Sequence, residues 1–444
     1  MRSHARHVLA LVLLTLTGAL LCAAPGLAAG WSPAQSFAVG KQHEPVPRAA
    51  IAADGTSALA WQSKSGRLML TTGGAAGRFS APRQIDRAGV RDWSVAAKPG
   101  GAFIVVWQDT DGIRVAVRSR AGRPIAVRRI VASNGEEING VQVAADPLGG
   151  WVVAERQFRR TRDRFYYVRT MTLDEGGRLD GAVQDLGPGE FGIDARPTQA
   201  LAVGSDGRAV LAFVREARFS QTEPAPTVMV ATRPHGGAFS TPVALPGDTA
   251  ADPRVAVGAG GRALIAATQA RNRGDAGVFG NPVVSRLSPA GALGTPFGPA
   301  LSNPRLAFAP SAAFTGGDSA VLVFAMKPEP QPFETEAPVR AVAIGADGTV
   351  GSPQTLTSAR AKEPVVMALR DGRALAMWSG RRGLGAALAG SDGIFHKTSE
   401  PKGPPPDPYH SNSTNRDLRT AGRYAIFTWS REGDGRVRVS VRAF

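Results

Sequence analysis

One phrase recurs along the chain, and its repetition limits the possible folds more than any other feature of the sequence. Each copy contains two short apolar runs joined by a glycine-containing turn, then a third run and a proline-containing segment, and the first copy spans residues 49–85. Equivalent positions in the second runs are Trp61, Trp107, Ala154, Phe213, Ala267, Phe324, Trp378 and Trp429. Repeats of roughly 50 residues that hold four short strands are typical of β-propeller blades. We therefore predict an all-β fold.

The two ends of the chain indicate how such a ring would close. The last repeat stops after its third run, residues 436–444, and has no fourth. Residues 31–37 resemble the fourth-run phrases that begin at Phe79 and Phe239. Pairing this segment with the last repeat leaves no open edge between the first and last units. The sequence predicts a single eight-bladed propeller over residues 30–444, with four-stranded blades and the last blade closed by the N-terminal strand; seven blades is the alternative.

The first 29 residues have the pattern of a secretory signal peptide. Arg2 and Arg6 precede an apolar run over residues 8–22, and small residues follow up to residue 29. No later apolar run reaches the ~18 residues that a transmembrane helix needs. Lipid attachment at Cys22 requires a small residue before it, and Leu21 stands there. We expect a cysteine-free mature chain that is secreted to the extracellular space or the cell envelope and has no transmembrane segment.

The blade phrases resemble the propeller repeats of secreted bacterial proteins of unknown function. The resemblance covers residues 31–444 and rests on the generic phrase, without the Gly-His and Trp-Asp marks of WD40 repeats. The Asp box of sialidases is reduced to Asp-Gly pairs, which begin at Asp54, Asp206, Asp347 and Asp371. We predict that these pairs form hairpin turns. The resemblance implies the propeller fold and no active-site residue.

The chain has a formal net charge of +16, and arginine is concentrated in its longest connections. The connection between the second and third runs is tight in repeats 1, 2, 7 and 8 and long in repeats 3 to 6. Arginine offers paired donors to carboxylate, sulfate or phosphate groups, and tyrosine offers a stacking face. We predict a ligand-binding set on these connections: Arg159, Arg160, Arg162, Arg164, Tyr166, Tyr167, Arg218, Arg271 and Arg273.

Two of these patterns have a purely structural alternative. The arginine-rich stretch of the third repeat also fits a solvated hairpin whose arginines face water while its aromatic rings pack on the next blade. Four tryptophans at equivalent positions also allow two interpretations: Trp61, Trp107, Trp378 and Trp429. They could form an aromatic platform, but large apolar residues at the end of a repeated strand more often fill the space between blades.

Known catalytic motifs are missing from the sequence. It contains no Gly-x-Ser-x-Gly elbow, no phosphate-binding loop, no dinucleotide fingerprint and no histidines at metal-ligand spacing. We therefore expect no metal and no cofactor. A pair of catalytic carboxylates leaves no sequence motif, however, because its members can come from any two blades. The acids expected near the mouth of the channel are Glu190, Asp194, Asp252 and Glu363.

Two functions remain open from the sequence. The first is an exported, non-enzymatic binding or adaptor propeller that recognises an acidic polysaccharide or protein surface through the arginine-rich loops of blades 3 to 5. We do not expect nucleic acid as its partner, because no base-reading motif accompanies the arginines, and we expect a monomer. The alternative is a carbohydrate-active enzyme, a glycoside hydrolase or lyase, with paired carboxylates at the channel mouth.

Overall fold

The fold is a ring of eight four-stranded antiparallel blades, which confirms the predicted eight-bladed propeller and excludes seven blades. A computed structural model describes residues 30–39, 46–86, 89–120, 123–132, 137–158, 166–189, 198–215, 227–247, 249–270, 280–301, 307–326, 337–380, 383–401, 416–431 and 435–444. In this part of the chain no helix combines the length and the apolar character that a bilayer span requires.

The first four blades take their strands in chain order after the N-terminal strand β1 (Gln35–Ala38). Blade 1 contains β2 (Arg48–Ile51), β3 (Ser57–Gln62), β4 (Leu68–Gly73) and β5 (Arg83–Gln84). Blade 2 contains β6 (Asp92–Lys98), β7 (Ala102–Asp109), β8 (Gly112–Arg118) and β9 (Ala126–Ala132). Blade 3 contains β10 (Glu137–Ala145), β11 (Trp151–Phe158), β12 (Tyr166–Leu173) and β13 (Gln184–Gly189). Blade 4 contains β14 (Gln199–Val203), β15 (Ala209–Arg215), β16 (Thr227–Arg233) and β17 (Val243–Ala244).

The last four blades follow the same plan. Blade 5 contains β18 (Thr249–Val257), β19 (Ala263–Ala270) and β20 (Gly280–Leu287), and a bridge from Val284 to Phe297 marks its outer strand. Blade 6 contains β21 (Ala307–Phe314), β22 (Ala320–Met326), β23 (Ala337–Ile344) and the start of β24 (Gln354–Ala368). Blade 7 contains the rest of β24, β25 (Ala374–Gly380), β26 (Gly383–Ala389) and β27 (Phe395–Lys397). Blade 8 contains β28 (Arg416–Ala421), β29 (Tyr424–Arg431), β30 (Arg436–Ala443) and β1.

The core lies between the blades because each central strand is buried on both of its faces. In β7, Ile104 and Val106 pack toward blade 3, whereas Phe103 and Trp107 pack toward blade 1. Such strands have nearly continuous apolar sequences. The tryptophans of the second strands are buried in these interfaces, which confirms the packing interpretation over an exposed platform: Trp61, Trp107, Trp378 and Trp429.

The turns also have the predicted chemistry. The aspartate of each Asp-Gly pair accepts a hydrogen bond from the backbone N–H two residues further along, at Asp54, Asp206, Asp347 and Asp371. The glycine of each pair has a positive φ angle, between 74° at Gly207 and 89° at Gly348. This conformation is cheap for glycine and strained for other residues. The pairs are hairpin turns, as predicted.

The N-terminal strand closes the ring as the sequence predicts. β1 pairs antiparallel with β30, in register from Gln35 opposite Val439 to Ala38 opposite Arg436. Phe37 is buried against Trp61 of blade 1, with ring centroids 5.2 Å apart. This strand therefore joins blade 8 by its backbone and blade 1 by its side chains.

A glutamine clamp repeats at three blade junctions. The side-chain amide of Gln35 accepts a hydrogen bond from the backbone N–H of Phe79 (2.9 Å) and donates one to its carbonyl (3.1 Å). Gln184 holds Phe239, and Gln354 holds Phe395, in the same way. In each case the glutamine lies on the outer strand of one blade and the phenylalanine on the next blade. The clamps fix the position of each blade relative to its neighbour.

We predict that Phe37→Ala destabilises the whole propeller. The change removes a buried ring between blades 8 and 1, and Phe→Ala in a core costs about 3–5 kcal/mol. Chemical denaturation followed by tryptophan fluorescence measures the loss. Ser36→Ala, at an exposed position of the same strand, is the matched control and should change stability by less than about 0.5 kcal/mol. Equal effects of the two variants would contradict the closure described here.

Candidate functional site

The first strands of the blades surround the central channel, and their first residues define one face of the disc. Each first strand contacts the first strands of its two neighbours, and the series closes from β28 back to β2. One face of the disc holds the starts of the first strands and the connections between second and third strands, and we call it the upper face. The lower face holds the turns between first and second and between third and fourth strands. Arg48 and Asp92 begin first strands and so lie on the upper face.

All seven predicted ligand-binding arginines lie outside the described residues: Arg159, Arg160, Arg162, Arg164, Arg218, Arg271 and Arg273. The strand bounds place them in upper-face connections of blades 3, 4 and 5, between β11 and β12, β15 and β16, and β19 and β20. The corresponding connections of blades 1, 2, 7 and 8 are shorter, as predicted. The binding role of these arginines stays a prediction.

The two predicted tyrosines are described, and they differ. Tyr166 is buried, with 4% of its surface exposed, and its neighbour on the same face of β12, Val168, packs between blades 3 and 4. Tyr167 is half-buried and points to the opposite face of the strand, where it lies opposite Gln157 of β11. Of the two rings, that of Tyr167 is the one that a ligand on the upper face can reach.

Three charged residues from three blades meet at the upper end of the channel. Asp92, the first residue of β6, accepts hydrogen bonds from the backbone N–H groups of Val141 (2.8 Å) and Trp93 (2.9 Å). The guanidinium groups of Arg48, in blade 1, and Arg156, in blade 3, are close enough to stabilise its negative charge. We call these three residues the channel-mouth cluster.

A bulge in blade 3 admits Arg156 to this cluster. The register between β10 and β11 shifts between Asn139 and Gln142, and Gly140, inside the shift, has a φ angle of 60°. A Cβ atom at Gly140 would lie 2.5 Å from Nε of Arg156. Only glycine leaves room there for the arginine side chain to lie over the inner strand. The bulge lies in β10, and its glycine leaves a surface without a side chain against which Arg156 of β11 packs.

Burial raises the pKa of the Asp92 carboxyl above its ordinary value of 3.8. The loss of water around the carboxylate is the largest cause, and it outweighs the opposite effects of Arg48, the Val141 and Trp93 N–H groups and Arg156. The cluster therefore holds a carboxyl that takes up a proton more readily than an exposed aspartate, beside two permanent cations. It can donate to anionic groups and also exchange hydrogen bonds with hydroxyl groups.

A buried ion pair anchors the strands that flank the arginine-rich connection of blade 3. Glu155 is fully buried and forms an ion pair and hydrogen bond with Nη2 of Arg169, its partner across β11 and β12. Removing one member of such a pair leaves an uncompensated charge and costs about 3–5 kcal/mol. Arg169 therefore holds β11 and β12 together near the strand ends that residues 159–165 connect.

The sequence interpretation missed the channel-mouth cluster and the Glu155–Arg169 pair. Glu155 is a lone acid at the end of an apolar run and faces Arg169 only because the strands pair in one register. Asp92, Arg48 and Arg156 stand in three repeats, so their meeting depends on how the blades are arranged. One signal was available: Arg48 and Asp92 each begin the first run of neighbouring repeats, and neighbouring first strands lie side by side in the ring.

The acids proposed for catalysis have less support among the described residues. Glu190 and Asp194 lie outside them, as does the side chain of Glu363. Asp252 is buried, accepts a hydrogen bond from Oγ1 of Thr268 (3.3 Å) and has a φ angle of 54°. In the described part of the chain no three histidine, cysteine, aspartate or glutamate side chains converge as metal ligands would.

Comparison with known proteins supports the fold and nothing narrower. No family model matches the chain, and no curated protein matches it significantly. A lectin from Burkholderia pseudomallei is 14% identical and similar over 80% of this chain and 98% of the lectin, with a TM-score of 0.51. A polysaccharide lyase is 9% identical and similar over 94% of this chain and 93% of the lyase, with a TM-score of 0.49. The resemblance to secreted bacterial repeat proteins is thus confirmed for the propeller fold only.

We predict that Asp92→Asn changes how stability depends on pH. The folded protein binds the Asp92 proton more tightly than the unfolded chain, so stability falls as the pH rises from 3.8 through the raised folded pKa. The amide cannot titrate. Relative to the natural protein, the variant should therefore gain stability as the pH rises through that interval, measured by urea denaturation between pH 3 and 8.

Asp347→Asn is the control of opposite sign. Hydrogen bonds from the Thr349 hydroxyl and N–H lower the pKa of Asp347, an exposed turn residue. Its charge thus stabilises the folded state above the ordinary pKa, and this contribution is lost as the pH falls through the lowered value. The Asp347 variant should lose relative stability as the pH rises. The same direction of change in both variants would show that burial does not control Asp92.

Proposed function

We propose that this protein is an exported binding propeller that recognises an acidic polysaccharide on its upper face. The observation that carries the proposal is the channel-mouth cluster, in which Arg48 and Arg156 from two different blades converge on Asp92 of the blade between them. Two guanidinium groups fixed by neighbouring blades are suited to anionic groups along a polymer. The half-buried Asp92 residue adds a carboxyl group that can bond to sugar hydroxyls.

Preorganisation strengthens this proposal. Gly140 leaves the space that the Arg156 side chain occupies, and the Asp92 carboxyl is held by two backbone N–H groups. Side chains that are already fixed lose less conformational entropy on binding than mobile ones. The half-buried ring of Tyr167 lies on the same face of the disc and offers a flat surface to a sugar ring.

The arginine-rich connections extend the proposed site from blade 3 to blade 5. Arg159, Arg160, Arg162 and Arg164 follow β11 directly, and the Glu155–Arg169 pair fixes the strands on both sides of them. Arg218, Arg271 and Arg273 belong to the next two blades on the same face. We favour a saccharide over a protein surface because a lectin is among the proteins that share this fold.

The experiment is binding of the exported chain to matched acidic and neutral polysaccharides at low and moderate salt. We expect the acidic polymers to bind and the affinity to fall as salt screens the arginine charges. Replacing Arg159, Arg160, Arg162 and Arg164 together by Gln should weaken binding at least ~10-fold, since each hydrogen bond to a charged group contributes ~1.5–3 kcal/mol.

The matched control removes the same charge from the lower face. Arg78, Arg120, Arg178 and Arg370 are exposed and lie in lower-face turns of blades 1, 2, 3 and 7. Their joint replacement by Gln should leave the affinity nearly unchanged. Equal losses in both variants would mean that net charge alone attracts the polymer, and unchanged affinity in the upper-face variant would refute the site. New reducing ends in the mixture would replace the binding function by that of a glycoside hydrolase or lyase.

A further inference from the structure

A second concave site lies on the lower face, between blades 6 and 7. The cavity has a volume of about 330 Å³. Three turns form its wall: the first turn of blade 6 at Thr315 and Ser319, the hairpin after β23 at Gly345 and Thr349, and the hairpin of blade 7 at Ser391. Blade 6 thus supplies two sides of the cavity and blade 7 the third. The channel-mouth cluster is on the opposite face of the disc.

The wall combines hydroxyl groups, one carboxylate and a small apolar surface. Accessible hydroxyls come from Ser319, Thr349 and Ser391, and the carboxylate from Asp392. Ala320, Ala343, Ile344 and Val350 supply the apolar part. No lysine, arginine or histidine is among the lining residues. This chemistry differs from that of the channel-mouth cluster, which contains two arginines.

The turns around the cavity are held in place without a ligand. Asp392 Oδ1 accepts a hydrogen bond from the N–H of Ile394 (3.0 Å), and Asp347 Oδ1 accepts one from the N–H of Thr349 (2.9 Å). Gly393 has a φ angle of 75°, and a Cβ there would lie 2.7 Å from Cβ of Ala343. Glycine at this position lets the hairpin of blade 7 approach blade 6 closely. The cavity is therefore a fixed feature of the blade junction.

One buried hydroxyl in the wall lacks a hydrogen-bond partner. Thr315 is 1% exposed, and among the described residues its Oγ1 atom makes no hydrogen bond. A buried polar group without a partner destabilises the folded state, and natural proteins contain few of them. Because this Oγ1 atom is itself inaccessible from the cavity, it is not among the groups that a bound molecule can reach.

We propose that this cavity binds a neutral monosaccharide unit. Binding pockets for small molecules begin at about 300 Å³, which is enough for one sugar ring. Hydroxyl groups can donate and accept, so those of Ser319, Thr349 and Ser391 suit a ligand that carries hydroxyls on several carbons. The apolar patch suits the C–H face of a sugar ring. Asp392 accepts hydrogen bonds from sugar hydroxyls and repels a carboxylate, so the site favours neutral sugars over uronates.

The experiment is an NMR titration of the exported chain with glucose, galactose, mannose, fucose, N-acetylglucosamine and glucuronate. We expect saturable binding of at least one neutral sugar that Ser391→Trp abolishes, because the indole fills the cavity from an exposed turn position. Ser319→Ala should weaken this binding about fivefold, the effect of one lost hydrogen bond. Thr315→Val should leave the binding unchanged, because the ligand cannot reach that hydroxyl.

Ser205→Trp is the matched control. Ser205 is exposed on the same face and lies in a second copy of the Gly-Ser-Asp-Gly tetrapeptide that contains Ser391. It does not line the cavity. The Ser205→Trp variant should bind the neutral sugar as the natural protein does. The proposal is overturned if no neutral sugar of the set binds, or if Ser391→Trp and Ser205→Trp bind equally. The upper-face arginine variant should keep this binding, which separates failure of this site from failure of the acidic-polymer site.

Discussion

Every blade of this propeller depends on its neighbours, because a four-stranded sheet that is apolar on both faces cannot bury them alone. The strand β7 illustrates the constraint, since Ile104 packs toward blade 3 and Phe103 toward blade 1. Stability is therefore a property of a closed ring, and an open edge would expose apolar faces and unpaired backbone groups. With no disulfide in the described chain, the pairing of β1 with β30 closes the ring, and Phe37 extends the closure into blade 1.

Because each blade depends on its neighbours, the inner strands carry polar side chains where one blade contacts the next. Side chains of one inner strand accept hydrogen bonds from the backbone of the next, as Asp417 does from Ala49 (3.1 Å) and Ser311 from Val366 (3.1 Å). Asp92 makes the equivalent bond to Val141, and it differs by having two arginines near it. The channel-mouth cluster is thus a structural contact between blades that also has two arginines beside its carboxylate. A binding site built on such a contact inherits the rigidity of the ring.

The sequence predicted what each repeat determines by itself. Strand order, the buried tryptophans, the hairpin turns and the ring closure all follow from short-range patterns such as the fourth-run phrase around Phe37. The candidate site does not, because it depends on relations between repeats. Arg156 packs against Gly140 in the bulge of β10, where a Cβ atom would collide with its guanidinium, and no apolar pattern in the sequence marks that bulge. The buried partner of Glu155 likewise follows from strand register, which sequence alone leaves undetermined.

Identical local sequences acquire different roles through the blades beside them. Gly-Ser-Asp-Gly occurs at Gly204–Gly207 and again at Gly390–Gly393, and in both copies the aspartate accepts a backbone hydrogen bond. The second copy borders the cavity between blades 6 and 7, because the turns of blade 6 stand opposite it, whereas the first copy is not part of that wall. The two sites differ in the same way: the channel-mouth cluster contains two arginines, whereas hydroxyls and Asp392 surround the small cavity on the lower face. One scaffold can therefore present sites of opposite charge preference, since each blade junction is shaped independently of the others.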